Sequence, residues 1–339
     1  MKKVLFVTTT YLDLYKDVVT ELERKGFSVE YVPDIAIPGD PFDVLRWRHV
    51  RYTKNGFLAK LKLQWQTFEA EHDSLFYDYL FVIDGKNVHP YLFEILRKSN
   101  PNIKCVNYLF DRTHNVYHFE RNFKYYDRVI TFDRADSQRY GIEFFPLYWV
   151  QSEAVPTERY DIFGFGAADD IRYNVFRRIR AIAEKQGYNY FLKLLGRPIT
   201  KGVFAYRLRC AVKKLIGREY IPVKETYSDF FTTSTFKPEE FRSLTMGANV
   251  VVDTNHPYQD GLTARFMWAL GAGCKIITTN ASACNYGFYS DSQILVLNKS
   301  TNDDRIISFI ESPAHVSDET NVEIDRYRID NWLDFILIF

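Results

Sequence analysis

"QDGLTARFMWALGAGCKIITTN", Gln259 to Asn280, contains a polar loop with one glycine, a helix that begins near Thr263, a Gly-Ala-Gly turn and the apolar strand "KIITT". The first N–H groups of a helix have no partner in a preceding turn, and the helix dipole gives that end a positive partial charge. Such an end suits an anion, typically a phosphate. The glycines taken alone fit ordinary turn and helix-end chemistry equally well.

The same alternation of strand and helix runs along the whole chain. In the first half, the apolar segments "KVLFVTTT", "FSVEYVP", "YDYLFVIDG" and "IKCVNYLFD" alternate with amphipathic helical segments. The pattern restarts with "YDIFGFGAADDIRYNVFRRIRAIAEKQG" and continues through "YNYFLKLLGRP", "FKPEEFRSLTMGANVVVDTN" and "QILVLN". Strands that alternate with helices predict parallel sheets. We therefore predict an α/β fold with two doubly wound parallel-sheet domains that face each other across a cleft.

The length of 339 residues fits two domains better than one. We place the first domain at residues 1–152, with a basic and aromatic insertion at 41–75. We place the second at 153–322, followed by a terminal helical segment at 323–339.

Composition excludes several classes of protein. A net charge of +1 gives no general reason to expect nucleic-acid binding, and 46% hydrophobic residues argue against disorder. The four cysteines show no CxxC spacing and no neighbouring histidines, which indicates reduced thiols in a cytoplasmic protein. No apolar run approaches the roughly 20 residues of a transmembrane helix, and the run after "MKK" is too short for a signal peptide.

Basic residues are concentrated in two windows, 46–65 and 201–218. The first mixes them with aromatic residues and contains Arg46, Trp47, Arg48, Arg51, Tyr52, Lys54, Phe57, Lys60, Lys62 and Trp65. The second contains Lys201, Arg207, Arg209, Lys213, Lys214 and Arg218. Both compositions suit an anionic membrane surface or a charged lipid-linked substrate. Two solvated helix faces explain them equally well.

Polar residues follow the predicted strands repeatedly, and ligands of parallel sheets bind beyond the carboxyl ends of strands. The set is Thr8 to Thr10, Asp84, Asp111, Asp133, Gly164 to Gly166, Gly196, Arg197 and Asp253. Any one of them is also an expected turn former. The first strand lacks the dinucleotide glycine fingerprint, and the chain contains no GxxxxGK[ST], HExxH or GxSxG motif. The remaining glycine signals, "FGFGAADDIR" and the loop before Thr263, favour a phosphorylated ligand in the second domain.

Four segments, "YLFDRTHN", "YYDRVITFDRADSQRYGI", "FGFGAADDIRYNVFRRI" and "DGLTARFMWALGAGCKIITTN", resemble bacterial GT-B glycosyltransferases of the spore-maturation and lipopolysaccharide types. The similarity runs from about Tyr77 to Leu297. It implies two Rossmann-like domains, the first binding the acceptor and the second the nucleotide-sugar donor. It also implies that 323–339 crosses back to the first domain and that transfer needs no metal and no cofactor.

The resemblance implies transfer of a sugar to a growing surface glycan or lipid-linked oligosaccharide of the lipopolysaccharide, O-antigen or capsule type. Such an enzyme is cytoplasmic and peripheral on the inner face of the membrane. Retaining members carry two glutamates eight residues apart, where this chain has Asp260 and Trp268. The choice between retaining and inverting transfer therefore stays open. A nucleotide-sugar epimerase of the same fold and a catalytically degenerate nucleotide-sugar-binding protein are the alternatives.

A leaving nucleoside diphosphate gains negative charge, which cations and a helix N-terminus must stabilise when no metal does so. Arg265 and the loop Gly261 to Thr263 are the first candidates, and Arg197 and Lys224 are further cations. Tyr227 and Phe236 are candidates to frame the base, while Asp253, Asn255, His256 and Gln259 are candidates to bind sugar hydroxyls. The predicted donor-binding set is Gly164, Gly166, Arg197, Lys224, Tyr227, Asp253, Asn255, His256, Asp260, Gly261, Leu262, Thr263 and Arg265.

An inverting enzyme also needs a base for the acceptor hydroxyl, and we expect it in the first domain. Asp111 leads because it ends a buried strand, and Asp84, Asp13 and His114 follow. An aspartate at a strand end is otherwise a common cap or turn former. No metal ligands are expected.

Overall fold

The computed structural model describes residues 1–10, 13–34, 54–113, 115–116, 119–152, 156, 158–256, 259–314 and 317–338. The chain divides into unit 1, Met1–Leu147 with Ile329–Phe339, and unit 2, Tyr148–Arg328. The divisions expected from the sequence, at 152/153 and 322/323, lie five and six residues from these points.

Unit 1 is built around a six-stranded parallel sheet in the order β2-β1-β3-β4-β5-β6. Its strands are β1 Lys3–Thr8, β2 Ser28–Pro33, β3 Tyr79–Ile83, β4 Lys104–Leu109, β5 Arg128–Thr131 and β6 Glu143–Phe144. Its helices before residue 147 are α1 Tyr15–Arg24, α2 Lys54–Ala70, α3 Pro90–Ser99, α4 Phe119–Phe123 and α5 Arg134–Tyr140. Strands β1 and β3 are almost continuous apolar runs because parallel strands are covered on both faces.

Unit 2 contains a second six-stranded parallel sheet, in the order β12-β11-β10-β7-β8-β9. Its strands are β7 Tyr160–Ala167, β8 Tyr190–Leu195, β9 Phe231–Thr232, β10 Ala248–Asp253, β11 Lys275–Thr278 and β12 Ile294–Val296. Its helices are α6 Asp170–Gln186, α7 Val203–Leu215, α8 Pro238–Met246, α9 Ala264–Gly271, α10 Asp303–Glu311 and α11 Asp318–Asp325, with 3₁₀ turns at Val223–Tyr227 and Ala281–Asn285. The predicted α/β class with two doubly wound parallel sheets is confirmed.

The last helix, α12 (Ile329–Ile336), belongs to unit 1 although it follows unit 2 in the chain. Trp332 of α12 is fully buried, and its indole N–H donates to the Pro146 carbonyl at 3.1 Å. Its ring lies edge-on to Tyr108 at a centroid distance of 4.7 Å. Arg128 of β5 donates to the carbonyl of Phe335 at the end of α12. The helix is therefore part of the core of unit 1.

The insertion predicted at 41–75 is covered only in part. Residues 35–53, including Arg46, Arg48 and Arg51, lie outside the described residues. Helix α2 follows, and its Trp65 is 1% exposed and donates its indole N–H to the Asn87 carbonyl at 3.3 Å. Trp65 was grouped with the first basic window, but it is a core residue of unit 1, because α2 packs one face against α3.

Candidate functional site

The strand order of unit 2 creates one reversal point in its sheet. The chain runs outward from β7 to β8 and β9, then returns to β10 on the other side of β7. The connections that leave β7 and β10 therefore diverge to opposite sides, and ligands of such sheets bind beyond the carboxyl ends of the strands at that point. Here β7 ends at Ala167 and β10 ends at Asp253.

The carboxylate of Asp253 ties the start of α9 to the end of β10. Asp253 is 1% exposed, and its Oδ1 accepts from Thr263 Oγ1 at 2.8 Å and from Arg265 Nε at 2.9 Å. Arg265 also donates through Nη1 to the Phe165 carbonyl in β7. Among the described residues, Arg265 donates two of its five N–H groups in this way and no others, so three N–H groups are available to a ligand. Asp253, predicted to bind a sugar hydroxyl, serves as the buried counter-charge of Arg265.

A second arginine, which the sequence reasoning did not identify, lies beside Arg265. Arg172, in the first turn of α6, donates through Nε to Thr254 Oγ1 at 2.8 Å and through Nη2 to the Thr254 carbonyl at 3.2 Å. Its Nη1 also donates to the Ala167 carbonyl and lies 3.1 Å from Asp169 Oδ2. Burial, and after it the charge of Arg265, lowers the pKa of Arg172 to about 10. The only sequence signal was its place three residues after the cap of α6.

Gly166 makes room for both guanidinium groups. A Cβ atom at this position would lie 2.6 Å from Arg265 Nη1 and 2.9 Å from the guanidinium carbon of Arg172. Arg172 and Arg265, called the arginine pair below, thus converge over the end of β7. Among the described residues two carboxylates accompany these two cations: the buried Asp253 pairs with Arg265, and Asp169, whose side chain is 46% exposed, pairs with Arg172. The formal charges of the four side chains therefore balance, and the partner of Arg172 is the one that water screens.

Two helix starts place positive partial charge beside the arginine pair. Thr263 caps α9 by accepting from the Phe266 N–H, and Asp169 caps α6 by accepting from the Arg172 N–H. The amides of Ala264 and Arg265 lie in the first turn of α9, where no earlier turn supplies an acceptor. Both helix ends meet the sheet at its reversal point, an arrangement suited to a diphosphate.

The remaining predicted loop residues line or build the approach to α9. Asn255 donates to the Gln259 carbonyl at 2.9 Å and accepts from Thr279 Oγ1 at 2.8 Å. Asp260 accepts from the Ser282 hydroxyl. Gly261 and Leu262 are buried, whereas His256 is exposed. Asn255 and Asp260 thus hold the shape of the loop.

Five other candidates lie outside the hydrogen-bond network of the arginine pair. Gly164 lies inside β7, where a Cβ would meet Leu192 at 2.7 Å and Phe176 at 2.8 Å, so its small size serves packing. Arg197 and Lys224 are exposed on the β8 exit and on the 3₁₀ turn after α7. Tyr227 is 59% exposed and donates to the Ile199 carbonyl at 3.1 Å. Phe236 packs edge-on to Phe165 at 4.8 Å, as a member of an aromatic cluster.

Trp268, which stands where the resembling enzymes carry a glutamate, is 8% exposed on α9. It lines a cavity of about 210 Å³ together with Trp149, Gln151, Ser152, Arg242, Thr245 and Gly271. Its indole N–H has no hydrogen-bond partner among the described residues. The guanidinium of Arg242 lies 5.8 Å from its ring centroid.

In unit 1, two of the predicted base candidates come together at the carboxyl ends of β3 and β4. Asp84 Oδ1 accepts the backbone N–H groups of Phe110 at 2.8 Å and Asp111 at 2.9 Å. Lys86 Nζ is 3.6 Å from Asp111 Oδ2 and 4.0 Å from Asp84 Oδ2. The side chain of Asp84 is 10% exposed and that of Asp111 is 39% exposed. Asp111 is therefore the carboxylate open to a ligand, and Asp84 holds its backbone.

The backbone and charge of Asp84 are both unusual. Its φ of 60° lies in the left-handed region, which costs a non-glycine residue energy and is enriched at functional sites. Burial raises the pKa of Asp84, the charge of Lys86 opposes the change and the charge of Asp111 adds to it, so that the pKa is about 6. Asp13 also has a positive φ, of 55°, and pairs with Lys16 at 2.8 Å. His114 lies outside the described residues.

The described residues contain neither a metal-ligand cluster nor a membrane-spanning helix. No group of three or more His, Cys, Asp or Glu side chains in these ranges could hold a metal ion. No helix in the same ranges has both the length and the apolar character needed to span a membrane.

Comparison with known proteins identifies relatives by structure alone. No protein-family model and no curated protein sequence matches the chain. The glycosyltransferase AviGT4, involved in avilamycin A biosynthesis, superimposes with a TM-score of 0.57 at 13% identity, over 98% of this chain and 95% of that one. The UDP-forming α,α-trehalose-phosphate synthase from Burkholderia xenovorans gives 0.60 at 11% identity, over 98% of each chain. An α-glucosyltransferase solved with UDP and DNA gives 0.55 at 13% identity, over the full length of both. At these identities the chain shares the two-domain α/β fold of GT-B glycosyltransferases.

Proposed function

We propose that this protein is a glycosyltransferase that binds the diphosphate of a nucleotide-sugar donor over the arginine pair. The observation that carries the proposal is the convergence of Arg172 and Arg265 over Gly166, at the reversal point of the sheet and beside two helix starts. The two guanidiniums lie close together, and each already pairs with one carboxylate, Asp169 or Asp253. A diphosphate can accept the N–H groups that Arg265 does not donate to the described residues, and the two helix starts favour its negative charge.

The same groups would act on the transition state. When the bond between the anomeric carbon and the diphosphate breaks, the electron pair leaves with the diphosphate, whose charge increases. Fixed cations and helix-start amides stabilise that charge without having to reorganise. We propose on this basis that transfer needs no metal.

We assign the base of an inverting transfer to Asp111 in unit 1. Its carboxylate would take the proton of the acceptor hydroxyl as the hydroxyl oxygen bonds to the anomeric carbon. Asp84 supports this role by fixing the backbone of Asp111, and Lys86 places its ammonium group 3.6 Å from the Asp111 carboxylate. The resemblance of the sequence motifs favours a surface glycan or lipid-linked saccharide as acceptor, and a cytoplasmic enzyme on the inner face of the membrane.

Nucleoside diphosphate binding in the presence of EDTA tests the donor site. Arg172→Gln is the sharpest variant, because its counter-ion Asp169 is half exposed and no buried carboxylate is left unpaired. Loss of a charged hydrogen-bonding partner costs about 1.5–3 kcal/mol, so we expect Kd for UDP, GDP or dTDP, whichever binds, to rise by about 10- to 100-fold. The matched control is Arg178→Ala on the same helix, which removes an exposed pair with Asp303 and a hydrogen bond to the Thr301 carbonyl. An unchanged Kd in Arg172→Gln, or binding that requires Mg²⁺, contradicts the proposal.

Incubation of the protein with nucleotide sugars separates the enzyme classes. A glycosyltransferase hydrolyses its donor slowly and transfers the sugar when an acceptor is added. Conversion of the donor to an isomer without acceptor would identify an epimerase instead. Donor binding without turnover under any condition would identify a binding protein.

A further inference from the structure

Helix α7 (Val203–Leu215) is fixed to unit 2 along one face only. Tyr206 donates its hydroxyl to the Ile221 carbonyl at 2.9 Å, and Cys210 is buried against the same segment. Lys213 pairs with Asp170 at the start of α6. At about 100° per residue these three side chains lie within one arc of about 60°.

The opposite face of α7 is apolar and open. Phe204 is 82% exposed, Leu208 58%, Val212 50% and Leu215 85%. Their spacing of four, four and three residues puts them within an arc of about 80°, centred opposite the anchored face. Ile216, just after the helix, adds a fifth side chain at 60%. Folded proteins in water normally turn polar residues outward, so an unbroken outward stripe of large apolar residues marks an interaction surface.

Cations border this stripe on both sides. By the same helical geometry, Arg207 and Lys214 lie on one flank and Arg209 lies on the other, and all three are exposed. Lys201 and Arg218 extend the charge beyond the two ends, and no Asp or Glu occurs between them. The apolar stripe and its basic border, residues 201–218, are called the α7 surface below.

We propose that the α7 surface binds an anionic lipid bilayer, with α7 lying parallel to the membrane plane. Interfacial helices of this kind insert an apolar face about 5–10 Å into the boundary between headgroups and acyl chains. The stripe from Phe204 to Leu215 is about 16 Å long, which is enough for two turns of side chains to enter that layer. The basic border would then lie at the depth of the lipid phosphates.

Charge is the reason to choose lipid over a protein partner. The cations surround the stripe on both flanks and at both ends, so any partner must offer negative charge on every side of an apolar centre. An anionic bilayer does this at every position, because acyl chains lie beneath a continuous layer of phosphates. This inference does not depend on the proposed sugar transfer, since α7 contributes nothing to the arginine pair.

Vesicle flotation of the full chain tests the proposal. We expect the protein to float with vesicles that contain phosphatidylglycerol and not with pure phosphatidylcholine. Each basic residue near an anionic surface contributes about 1 kcal/mol, or about fivefold in partitioning. Arg207→Glu with Arg209→Glu and Lys214→Glu should therefore reduce the partition coefficient more than a hundredfold. Phe204→Ser with Leu208→Ser and Leu215→Ser should reduce it at least tenfold.

Matched variants outside the α7 surface control for a general loss of positive charge or of exposed hydrophobic surface. Lys98→Glu with Lys185→Glu and Lys299→Glu reverses three exposed lysines, and Leu63→Ser with Phe76→Ser and Val322→Ser replaces three exposed apolar residues. Both control variants should float like the wild type, and the α7 variants should bind nucleoside diphosphate like the wild type. Absence of wild-type flotation, or flotation of the α7 variants at the wild-type level, overturns the proposal. So does a change of oligomeric state in the α7 variants without any vesicle binding, which would identify a second copy of the chain as the partner.

Discussion

Asp84→Asn should make unit 1 more stable at neutral pH. Asparagine keeps an Oδ1 acceptor for the amides of Phe110 and Asp111, and it tolerates the left-handed backbone at φ 60°. What it removes is the buried negative charge. The substitution therefore isolates the cost of holding that charge in the folded protein.

The size of the effect follows from the pKa of Asp84. Burial raises this pKa from 3.8 to about 6, and each pH unit corresponds to about 1.4 kcal/mol, which gives about 3 kcal/mol in total. Because the folded state holds the proton more tightly than the unfolded state, the contribution is favourable below pH 3.8 and is lost as the pH rises through about 6. The wild type thus loses about 3 kcal/mol between about pH 4 and about pH 7, and Asp84→Asn does not.

Scanning calorimetry at a series of pH values measures the difference. The transition of unit 1 can be recognised as the one that a substitution of Trp332 shifts, since Trp332 lies in that core. At about 2–4 °C per kcal/mol for a unit of this size, the melting temperature of Asp84→Asn should exceed that of the wild type by about 6–12 °C near pH 7. If the melting temperatures of the wild type and Asp84→Asn change with pH in the same way, the buried negative charge of Asp84 does not destabilise unit 1 and the prediction is wrong. Asp84→Ala, which also removes the acceptor, should instead be destabilised near pH 4, by about 1–3 kcal/mol.

Two further predictions concern packing. Gly166→Ala should weaken nucleoside diphosphate binding about tenfold or more, because the new methyl group displaces both guanidiniums. Its control is Gly187→Ala at the end of α6, where φ is 77°. That control should lose about 1 kcal/mol of stability and bind nucleoside diphosphate with the wild-type Kd. If Gly166→Ala also binds with the wild-type Kd, the arginine pair is not part of the site. Trp332→Ala should destabilise unit 1 by about 3–5 kcal/mol in urea unfolding, whereas Val322→Ala, at a 68% exposed position, should change stability by less than about 0.5 kcal/mol. A loss below about 1 kcal/mol in Trp332→Ala would show that α12 is not part of that core.

Local pattern was enough to predict most of the fold. Buried parallel strands such as β1, β3, β4 and β10 are apolar runs, and those runs are visible without any tertiary information. The two-residue strands β6 and β9 were not predicted, because two residues carry no periodicity. Trp65 was wrongly grouped with the basic window 46–65. The composition of that window does not show which face of α2 is buried, and Trp65 lies on the buried face.

The candidate site was predictable only where its parts are close in sequence. Thr263 and Arg265 belong to one loop and helix start, so their position together at that helix start could be predicted from the motif. Arg172 acts through Thr254, 82 positions away, and no local pattern links them. Asp253 was predicted to face a ligand because it ends a strand. Asp253 is buried because it pairs with Arg265, and this ion pair forms only when β10 and α9 are packed together.

The return of α12 to unit 1 has a consequence for synthesis on the ribosome. Domains generally fold as units while the chain is being made, beginning from the amino terminus. Unit 2 is a single uninterrupted segment, so it can finish folding while unit 1 still lacks Trp332 and its neighbours. Unit 1 thus begins to be made before unit 2 and is completed after it, and a premature stop codon between Arg328 and Trp332 would damage unit 1 while leaving unit 2 whole.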